Sequence, residues 1–346
     1  MSTASPELET TSVPGSHLSA SPDKIFETLT AYQHTEALKA AIELDLFTAI
    51  AGGQNTVASL ARMIQGSERG VRILCDCLVV LGFLTKTDHR YGLTAESAAF
   101  LDKNSGSYLG SAKNFLSSPL MMQVSRDLAT VVRSGRPVAE PFSGIEHPIW
   151  VEFARSMAPL QHRPAQETAE LLSSESEMKV LDIAAGHGLF GIAIAKRNPR
   201  ARIVALDFPS VLNVASENAA RYGVSDRYSL HPGDALKIDL GSGFDAVLVP
   251  NLLHSFDRAS NVLLLKKVHA ALAPKGRVII VEFTPNEDRI SPRVPALFAL
   301  IMLANNLGDA YTVSEHRAML GSAGFPDCEI HPLPRTPFTA IVSVRS

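Results

Sequence analysis

Two hydrophobic periodicities divide this chain into two parts. Over residues 22–101 apolar side chains recur at helical spacing, as in Ile25, Leu29 and Tyr32, which predicts amphipathic helices. From Met178 onward, short apolar runs alternate with helical segments, and this predicts an α/β fold with a doubly wound, mostly parallel sheet. The expected strands are KVLDIA, RIVALD, RYSLHPGD, FDAVLVPN, RVIIVEF, CEIHPL and FTAIVSV. Helices are expected to begin near Leu189, Pro209, Arg258, Pro295 and, with a capping box, Thr312.

The N-terminal pattern predicts a winged-helix domain over residues 23–105. Asp23 is expected to cap a first helix that runs as far as FTAI, residues 47–50. Thr56 is expected to cap a second, shorter helix. A third helix is expected over residues 67–82, followed by a short β-wing in TKTDHRYGLT.

A winged helix also suggests a second function, DNA binding. A recognition helix needs exposed basic and polar side chains. The third predicted helix, ERGVRILCDCLVVLGFL, is almost entirely apolar beyond Arg69 and Arg72. We therefore expect this helix to be buried in a core or against a partner subunit.

The composition is that of a globular protein with room for two domains. The chain has 346 residues, of which 46% are hydrophobic and 19% charged. Its net charge of −3 predicts no broad attraction to nucleic acid or to an anionic membrane. Three cysteines cannot form a disulfide framework, and no apolar run approaches the ~20 residues of a membrane span. Residues 1–22 lack the pattern of a signal peptide, which predicts a disordered tail and a cytoplasmic protein.

Residues 106–175 are predicted to form a helical connector between the two domains. Trp150, Phe153 and Met157 are spaced by three and then four positions, so that they share one helix face. Core packing explains this face. A lid over an aromatic ligand explains it too, because the segment leads into the second domain.

The segment KVLDIAAGHGLFG, residues 179–191, predicts a nucleotide-binding crevice. A short apolar strand that contains Asp182 runs into a turn of small residues, and a helix follows. Gly186, Gly188 and Gly191 also satisfy the G-x-G-x-x-G fingerprint of dinucleotide-binding enzymes. This segment alone therefore fits either methyl transfer or hydride transfer.

Polar groups stand at the ends of five consecutive predicted strands. They are Asp182 with its turn, Asp207, Gly233 with Asp234, Asn251 to His254, and Glu282. Parallel strands place these ends on one edge of the sheet, where ligands bind. A carboxylate at Asp207 suits ribose hydroxyls, and one at Asp234 suits an adenine amino group. A surface or capping role explains any single acid equally well, but it does not explain all five ends together.

Five markers together carry a resemblance to a known family. They are VLDIAAGHG, the acid Asp207, GDA at 233–235, LLHSFD at 252–257, and VEF in the fifth strand. Through them, residues 23–346 resemble the class I S-adenosylmethionine-dependent methyltransferases. The specific likeness is to the dimeric, plant-type small-molecule O-methyltransferases, which include hydroxyindole and bacterial members. The resemblance implies a Rossmann-like, seven-stranded methyltransferase sheet over residues 176–346, a winged-helix dimerisation domain before it, a homodimer, and S-adenosyl-L-methionine as cofactor.

The resemblance also implies roles for individual residues. Those expected to bind the cofactor are Asp182, Ala184, Gly186, Gly188, Asp207, Phe208, Gly233, Asp234, Ala235, Asn251 and Phe256. His254 falls on the family's general base, and Glu282 falls on the glutamate that orients it. Those expected to line the acceptor pocket are Phe153, Met157, Phe298, Met302, Asn306 and Asp309. No metal site is implied.

The chain departs from the family pattern near these residues. Ala184 replaces a common glycine, Pro250 replaces a lysine that hydrogen-bonds the cofactor, and Ser255 replaces the acid after the histidine. A second glutamate beside the base has no counterpart, and Asp309 is the nearest acid. These departures affect the acceptor and the base catalysis more than cofactor binding.

The acid inside the first strand favours the methyl donor over a nicotinamide cofactor. A helix N-terminus that receives a pyrophosphate usually follows an apolar strand, whereas S-adenosylmethionine carries a sulfonium and an amino group that suit a carboxylate. We therefore expect methyl transfer to a phenolic or enolic hydroxyl of a small aromatic secondary metabolite. The alternatives are N- or C-methylation, a non-methylating rearrangement, a nicotinamide-dependent oxidoreductase, and a winged-helix DNA-binding regulator.

Overall fold

The computed structural model of this chain describes residues 20–124, 126–138, 147–172 and 176–346. Residues 1–19 of the predicted tail lie outside these ranges. Within the predicted connector, residues 125, 139–146 and 173–175 lie outside them too. In these ranges every helix is too short or too polar to span a bilayer.

The N-terminal region is a helical domain with a two-stranded wing. Its elements are α1 (Asp23–Glu43), α2 (Leu46–Ala51), α3 (Val57–Met63), α4 (Glu68–Val80), β1 (Leu84–Thr87), β2 (Arg90–Leu93) and α5 (Ala95–Phe100). Thr56 caps α3 in a reciprocal capping box with Ser59. Strands β1 and β2 pair in the antiparallel register of a wing. The predicted helix, turn, helix and wing are therefore present.

The first helix starts one residue earlier and ends sooner than predicted, so the prediction was wrong at both ends. Pro22, not Asp23, occupies the capping position. The helix ends at Glu43, and Asp45 takes a left-handed conformation with φ of 55° before α2 begins. This break turns Leu46 and Phe47 into the domain core, where they are almost fully buried.

The connector carries four α-helices in its described ranges, preceded by a 3₁₀ turn at Gly110–Ala112. They are α6 (Lys113–Leu116), α7 (Pro119–Val124), α8 (Leu128–Ser134) and α9 (Ile149–Leu171). Helix α9 continues through Pro159 and Pro164. Its C-terminal half packs Ala165 and Ala169 into the core of the following domain, so α9 is anchored against the sheet.

The second domain is built on a seven-stranded sheet within the described residues. Its strands are β3 (Met178–Ile183), β4 (Ala201–Asp207), β5 (Tyr228–Pro232), β6 (Phe244–Pro250), β7 (Leu272–Glu282), β8 (Glu329–Pro332) and β9 (Thr339–Val344). Their order is β5-β4-β3-β6-β7-β9-β8, with β9 antiparallel to both of its neighbours. The predicted doubly wound sheet is confirmed. The strand order reverses between β3 and β6, and such a switch point opens a ligand crevice.

Helices cover both faces of this sheet. They are α10 (Leu189–Arg197), α11 (Pro209–Arg221), α12 (Arg258–Ala271), α13 (Arg293–Asn305) and α14 (Val313–Ser322). Successive residues of β3 point to opposite faces of the sheet. Leu181 packs with α12 and α14, whereas Val180 packs with α9 and α10. Helix α13 begins two residues before the predicted Pro295.

Candidate active site

The polar ends of the parallel strands share one edge of the sheet. In register, Asp182 of β3 lies beside Ala205 of β4 and Leu248 of β6. The backbone nitrogen of Gly233 donates to Asp207 O at 2.9 Å, which ties the segment after β5 to the end of β4. The predicted strand ends are therefore brought together along this edge.

The turn after β3 contains three left-handed residues. Ala184, Gly186 and Gly188 have φ values of 54°, 57° and 75°, a conformation that normally favours glycine. Gly186 N donates to Asp207 Oδ2 at 2.8 Å and fixes the turn against β4. A Cβ atom on Gly188 would lie 2.5 Å from Tyr228 Oη, so this position requires glycine.

Asp182 lies beneath that turn and is 0% exposed. Its Oδ2 accepts a hydrogen bond from Gly191 N at 3.0 Å. Burial, reinforced by the charge of Asp207, raises the pKa of Asp182 to about 7. A Cβ atom on Gly191 would lie 2.6 Å from Ile203 Cγ2. The third glycine of the dinucleotide fingerprint therefore allows helix α10 to pack against the sheet and donates to Asp182.

Asp207 is held by backbone donors on both carboxylate oxygens. Gly186 N donates to Oδ2, and Phe208 N donates to Oδ1 at 2.7 Å. Burial raises the pKa of Asp207 to about 6. Phe208 packs in a cluster with Trp150 of α9. The carboxylate has a fixed orientation and keeps lone pairs for further donors.

The segment after β5 is held by one lysine of α12. Ala235 O accepts from Lys267 Nζ at 2.7 Å. Asp234 Oδ1 accepts from Leu236 N at 2.9 Å, and its Oδ2 lies 3.1 Å from Lys237 Nζ. Both oxygens of Asp234 therefore already contact protein donors, and any adenine amino group would share one of them with Lys237.

Partly buried His254 and fully buried Glu282 form a pair where β6 and β7 end. His254 lies in a short 3₁₀ turn, Leu253–Ser255, and Glu282 is the last residue of β7 with 1% exposure. His254 Nδ1 is 2.6 Å from Glu282 Oε2, and His254 N donates to Glu282 Oε1 at 3.3 Å. Because the carboxylate accepts Nδ1–H, it fixes the tautomer in which Nε2 carries the lone pair.

Aromatic rings surround His254 on the side of α13. Phe298 packs edge-on against the imidazole with ring centroids 4.9 Å apart. Phe283 packs on Phe298 at 4.2 Å. Met302, one turn further along α13, is also buried. Phe298 and Met302 therefore present an apolar wall next to the histidine.

The two polar residues predicted for the acceptor pocket have different surroundings. Asn306 Nδ2 lies 3.4 Å from Met302 Sδ, and its Oδ1 accepts from Gly308 N at 2.9 Å. Asp309 lies 3.3 Å from Arg289 Nη1, and Arg289 also pairs with Glu315. Asn306 thus adjoins the apolar wall, whereas the Asp309 carboxylate is engaged by an arginine.

Helix α9 reaches the same edge of the sheet. Phe153 packs edge-on against Phe115 with centroids 4.9 Å apart. Met157 and Gln161 follow at intervals of four on the same helix face. Gln161 Oε1 accepts from Asn251 Nδ2 at 3.4 Å. The face that carries Phe153 and Met157 therefore extends to the end of β6.

Two residues at this site were missed in the sequence. Gln161 could have been found, because it lies four residues after Met157 and so shares its predicted helix face. The structure then shows that Gln161 is only 6% exposed. Gly308 left no readable signal: a Cβ atom there would lie 1.8 Å from His254 O. The segment after α13 therefore presses directly on the backbone of His254. Across the described ranges, no group of three His, Cys, Asp or Glu side chains could hold a metal ion.

Comparison with known proteins gives matches over most of the chain. Residues 151–326 match the model of an O-methyltransferase domain, and residues 26–103 match that of an O-methyltransferase dimerisation domain. The chain is 27% identical over 310 residues to 3-hydroxy-5-methyl-1-naphthoate 3-O-methyltransferase of Streptomyces sahachiroi. That match covers 88% of this chain and 89% of the relative.

Solved structures resemble the whole fold. One from Nostoc punctiforme, provisionally described as an O-methyltransferase, has a TM-score of 0.91 and 47% identity, covering 94% of this chain and 99% of the other. Human N-acetylserotonin methyltransferase in complex with S-adenosylmethionine has a TM-score of 0.83 at 21% identity, covering 96% and 99%. At that identity, the second likeness concerns the fold alone.

Proposed function

The chain belongs to the O-methyltransferase family that these two domains define, and from this premise we propose that it methylates a phenolic or enolic hydroxyl of a small aromatic secondary metabolite. His254 is the general base in this proposal, and Glu282 orients it. The observation that supports these roles is the pair of His254 Nδ1 and Glu282 Oε2, 2.6 Å apart, on the edge that carries the polar strand ends.

The strand-end residues suit S-adenosylmethionine, the methyl donor of this family. Within the described residues, Asn251 Oδ1 is a buried acceptor without a hydrogen-bond partner, and the carboxylates of Asp182 and Asp207 lie beneath and beside the turn. A site rich in oxygen acceptors favours a ligand with positive charge and with N–H and O–H donors. Asp207 would bind the ribose, Asp234 the adenine amino group, and the turn at 184–188 the methionine part. The bound cofactor supplies an electrophilic methyl group on a positively charged sulfur.

His254 would accept the proton of the acceptor hydroxyl at Nε2. A phenol has an ordinary pKa near ~10 and is mostly protonated at neutral pH, so a base assists the transfer. Because Glu282 holds Nδ1–H, the lone pair of the ring lies on Nε2, and the carboxylate stabilises the imidazolium that forms. Phe298 packs against the ring and restricts its plane.

The surrounding side chains favour a flat, largely apolar acceptor. Phe298 and Met302 form one wall beside His254, and Phe153 and Met157 lie on the face of α9 that reaches Asn251. Aromatic faces and thioethers contact a planar ring favourably. Residues 106–175, which contain α9, would then act as the connector and lid, and residues 176–346 would bind the cofactor.

A homodimer through residues 23–105 completes the proposal. Ile25, Phe26, Leu29 and Tyr32 of α1 are between 59% and 68% exposed. A contiguous exposed apolar face of this kind marks an association surface. Its location at the start of the matched dimerisation domain supports a second copy of the chain as the partner.

The test is a panel of phenolic and indolic acceptors with isotopically labelled S-adenosylmethionine, read by mass spectrometry and by the position of the methyl carbon. We expect label on oxygen. In His254→Ala we expect turnover to fall by ~10²–10⁴, while cofactor binding in equilibrium dialysis persists. The control His89→Ala, on the exposed tip of the wing, should retain full turnover.

Two results would contradict parts of this proposal. Label on carbon or nitrogen, or binding of the cofactor without methyl transfer to any acceptor, would favour the corresponding alternative chemistry. Unchanged turnover of His254→Ala would leave proximity and orientation as the only contribution of the site.

A further inference from the structure

Tyr228, the first residue of β5, lies directly beneath the turn at residues 184–188, called the cofactor turn below. Its Oη would be 2.5 Å from a Cβ atom on Gly188, and its Cε2 would be 3.5 Å from a Cβ atom on Gly191. Asp182 Oδ2 would be 3.1 Å from that same Cβ position on Gly191. The phenol ring and the carboxylate therefore flank one glycine from two different strands.

Each of these side chains has one buried oxygen atom with no hydrogen-bond partner among the described residues. These atoms are Tyr228 Oη and Asp182 Oδ1. One is an O–H donor and the other is an acceptor, and buried polar atoms of both kinds are nearly always paired, directly or through an ordered water. The ring of Tyr228 and the carboxylate of Asp182 flank the same glycine, and each side chain carries one of these two complementary unpaired atoms, which points to a common partner.

We propose that Tyr228 Oη and Asp182 Oδ1 are joined through one buried water, and that this bridge makes Tyr228 a positioning residue for the cofactor turn. The proposal rests on the proposed function, since the turn is taken to hold the methyl donor. The bridge would tie β5 to β3 beneath the turn. Asp182 Oδ2 already ties β3 to the first turn of α10 through Gly191 N.

The charged groups around this bridge support the direction of the hydrogen bond. Burial, and then the charges of Asp182 and Asp207, raises the pKa of Tyr228 well above its ordinary range. The phenol therefore keeps its proton and remains a donor at every working pH. A donor favours the ionised form of its acceptor, so Tyr228 would hold Asp182 in the carboxylate form against its burial.

This arrangement has a consequence for ligand preference. S-adenosylmethionine carries a sulfonium charge, whereas the product S-adenosylhomocysteine is a neutral thioether. An ionised carboxylate under the turn attracts the first more than the second. Tyr228 would thereby favour the methyl donor over the spent product at the same site.

The experiment measures the dissociation constants of both ligands by calorimetry for the wild-type chain and for Tyr228→Phe. The variant should bind S-adenosylmethionine roughly tenfold more weakly, the effect of about one pKa unit. Its dissociation constant for S-adenosylhomocysteine should rise by less than half as much. The matched control is Tyr222→Phe. It removes the hydroxyl of an exposed contact, 3.2 Å from His162 Nε2 of α9, and it should leave both constants unchanged.

A second variant tests the connection to Asp182. Asp182→Asn alone should lower the preference for S-adenosylmethionine by a similar factor, and adding Tyr228→Phe to it should lower the preference no further. Unchanged constants in Tyr228→Phe, or an equal loss for both ligands, would overturn the inference, because an effect on packing alone does not discriminate charge. Failure of the wild-type chain to bind either ligand would instead count against the proposed function.

Discussion

Glu282 directs both of its carboxylate oxygens at His254. Oε2 is 2.6 Å from the ring atom Nδ1, and Oε1 is 3.3 Å from the backbone nitrogen. One buried carboxylate therefore controls the tautomer of the ring and also the position of the turn that carries it. A carboxylate accepts at both oxygens, whereas an amide would have to turn an N–H group toward one of these donors.

Glu282→Gln should therefore impair catalysis more than cofactor binding. We expect kcat to fall by about 10², at the lower end of the range for losing general base catalysis, because no negative charge remains to stabilise the imidazolium. The affinity for S-adenosylmethionine should change less than twofold in equilibrium dialysis. Glu329→Gln, at an exposed position on β8, is the control and should keep full turnover. A parallel loss of affinity would mean that Glu282 acts in folding the strand end.

Gly308→Ala should displace His254 without touching its side chain. The new Cβ atom would lie 1.8 Å from His254 O, so the backbone of one segment must move. A shift of about 1 Å at a catalytic group can cost ~10² in rate, and we expect a loss of this order in kcat. Gly321→Ala in α14, where a Cβ atom meets nothing within 4 Å, is the matched control. Equal turnover in both variants would show that the segment containing Gly308 can shift without displacing His254.

The sheet and its polar edge could be predicted because their signals are local. Each parallel strand is buried on both faces and reads as a continuous apolar run, and a polar residue that ends such a run is visible at once. Asp207, His254 and Glu282 were predicted in this way, and the structure places them at or just after strand ends. Their common edge follows from the direction of the strands and needs no contact information.

Other features depend on contacts between distant segments and left no local signal. The break at Asp45 is one left-handed residue in a helical pattern, and only the burial of Leu46 explains it. The depth of Asp182 depends on Gly191, whose backbone nitrogen donates to its carboxylate, and this burial beneath the turn could not be read from the sequence, whereas its role toward the cofactor stays a prediction. The close approach of Gly308 to His254 joins segments more than fifty residues apart.

His316 should make the protein less stable in acid. It is 1% exposed, and within the described residues neither ring nitrogen has a hydrogen-bond partner. Burial lowers its pKa to about 4, opposed by the charges of Glu282 and Glu315 and reinforced by His254. An unfolded histidine takes up its proton near ~6.5. Between pH 6.5 and 4 the unfolded state therefore binds more protons, and the contribution of His316 to stability is lost as the pH falls.

The variant that tests this is His316→Leu. The free energy of unfolding is measured with urea for both proteins at pH 7.5 and at pH 5. Relative to wild type, the variant should gain about 1–2 kcal/mol of stability at the lower pH. The two nitrogens have no described partner to lose, so the variant should fold. A difference that stays constant between the two pH values would contradict the assignment of a buried neutral histidine.

The exposed face of α1 should hold two copies of the chain together, and one charge there should separate them. Leu29 is 68% exposed at the start of the helix, whereas Ala41 and Ile42 near its end lie in the core of their own domain. Leu29→Glu can therefore disturb the outer face without unfolding the helix. Burying an unpaired carboxylate in an apolar interface is costly, so we expect a monomer in light scattering at micromolar concentration. Leu263→Glu, which places the same charge on an exposed position of α12, should remain a dimer. A monomeric wild-type chain, or a dimeric Leu29→Glu, would show that this face is not the interface.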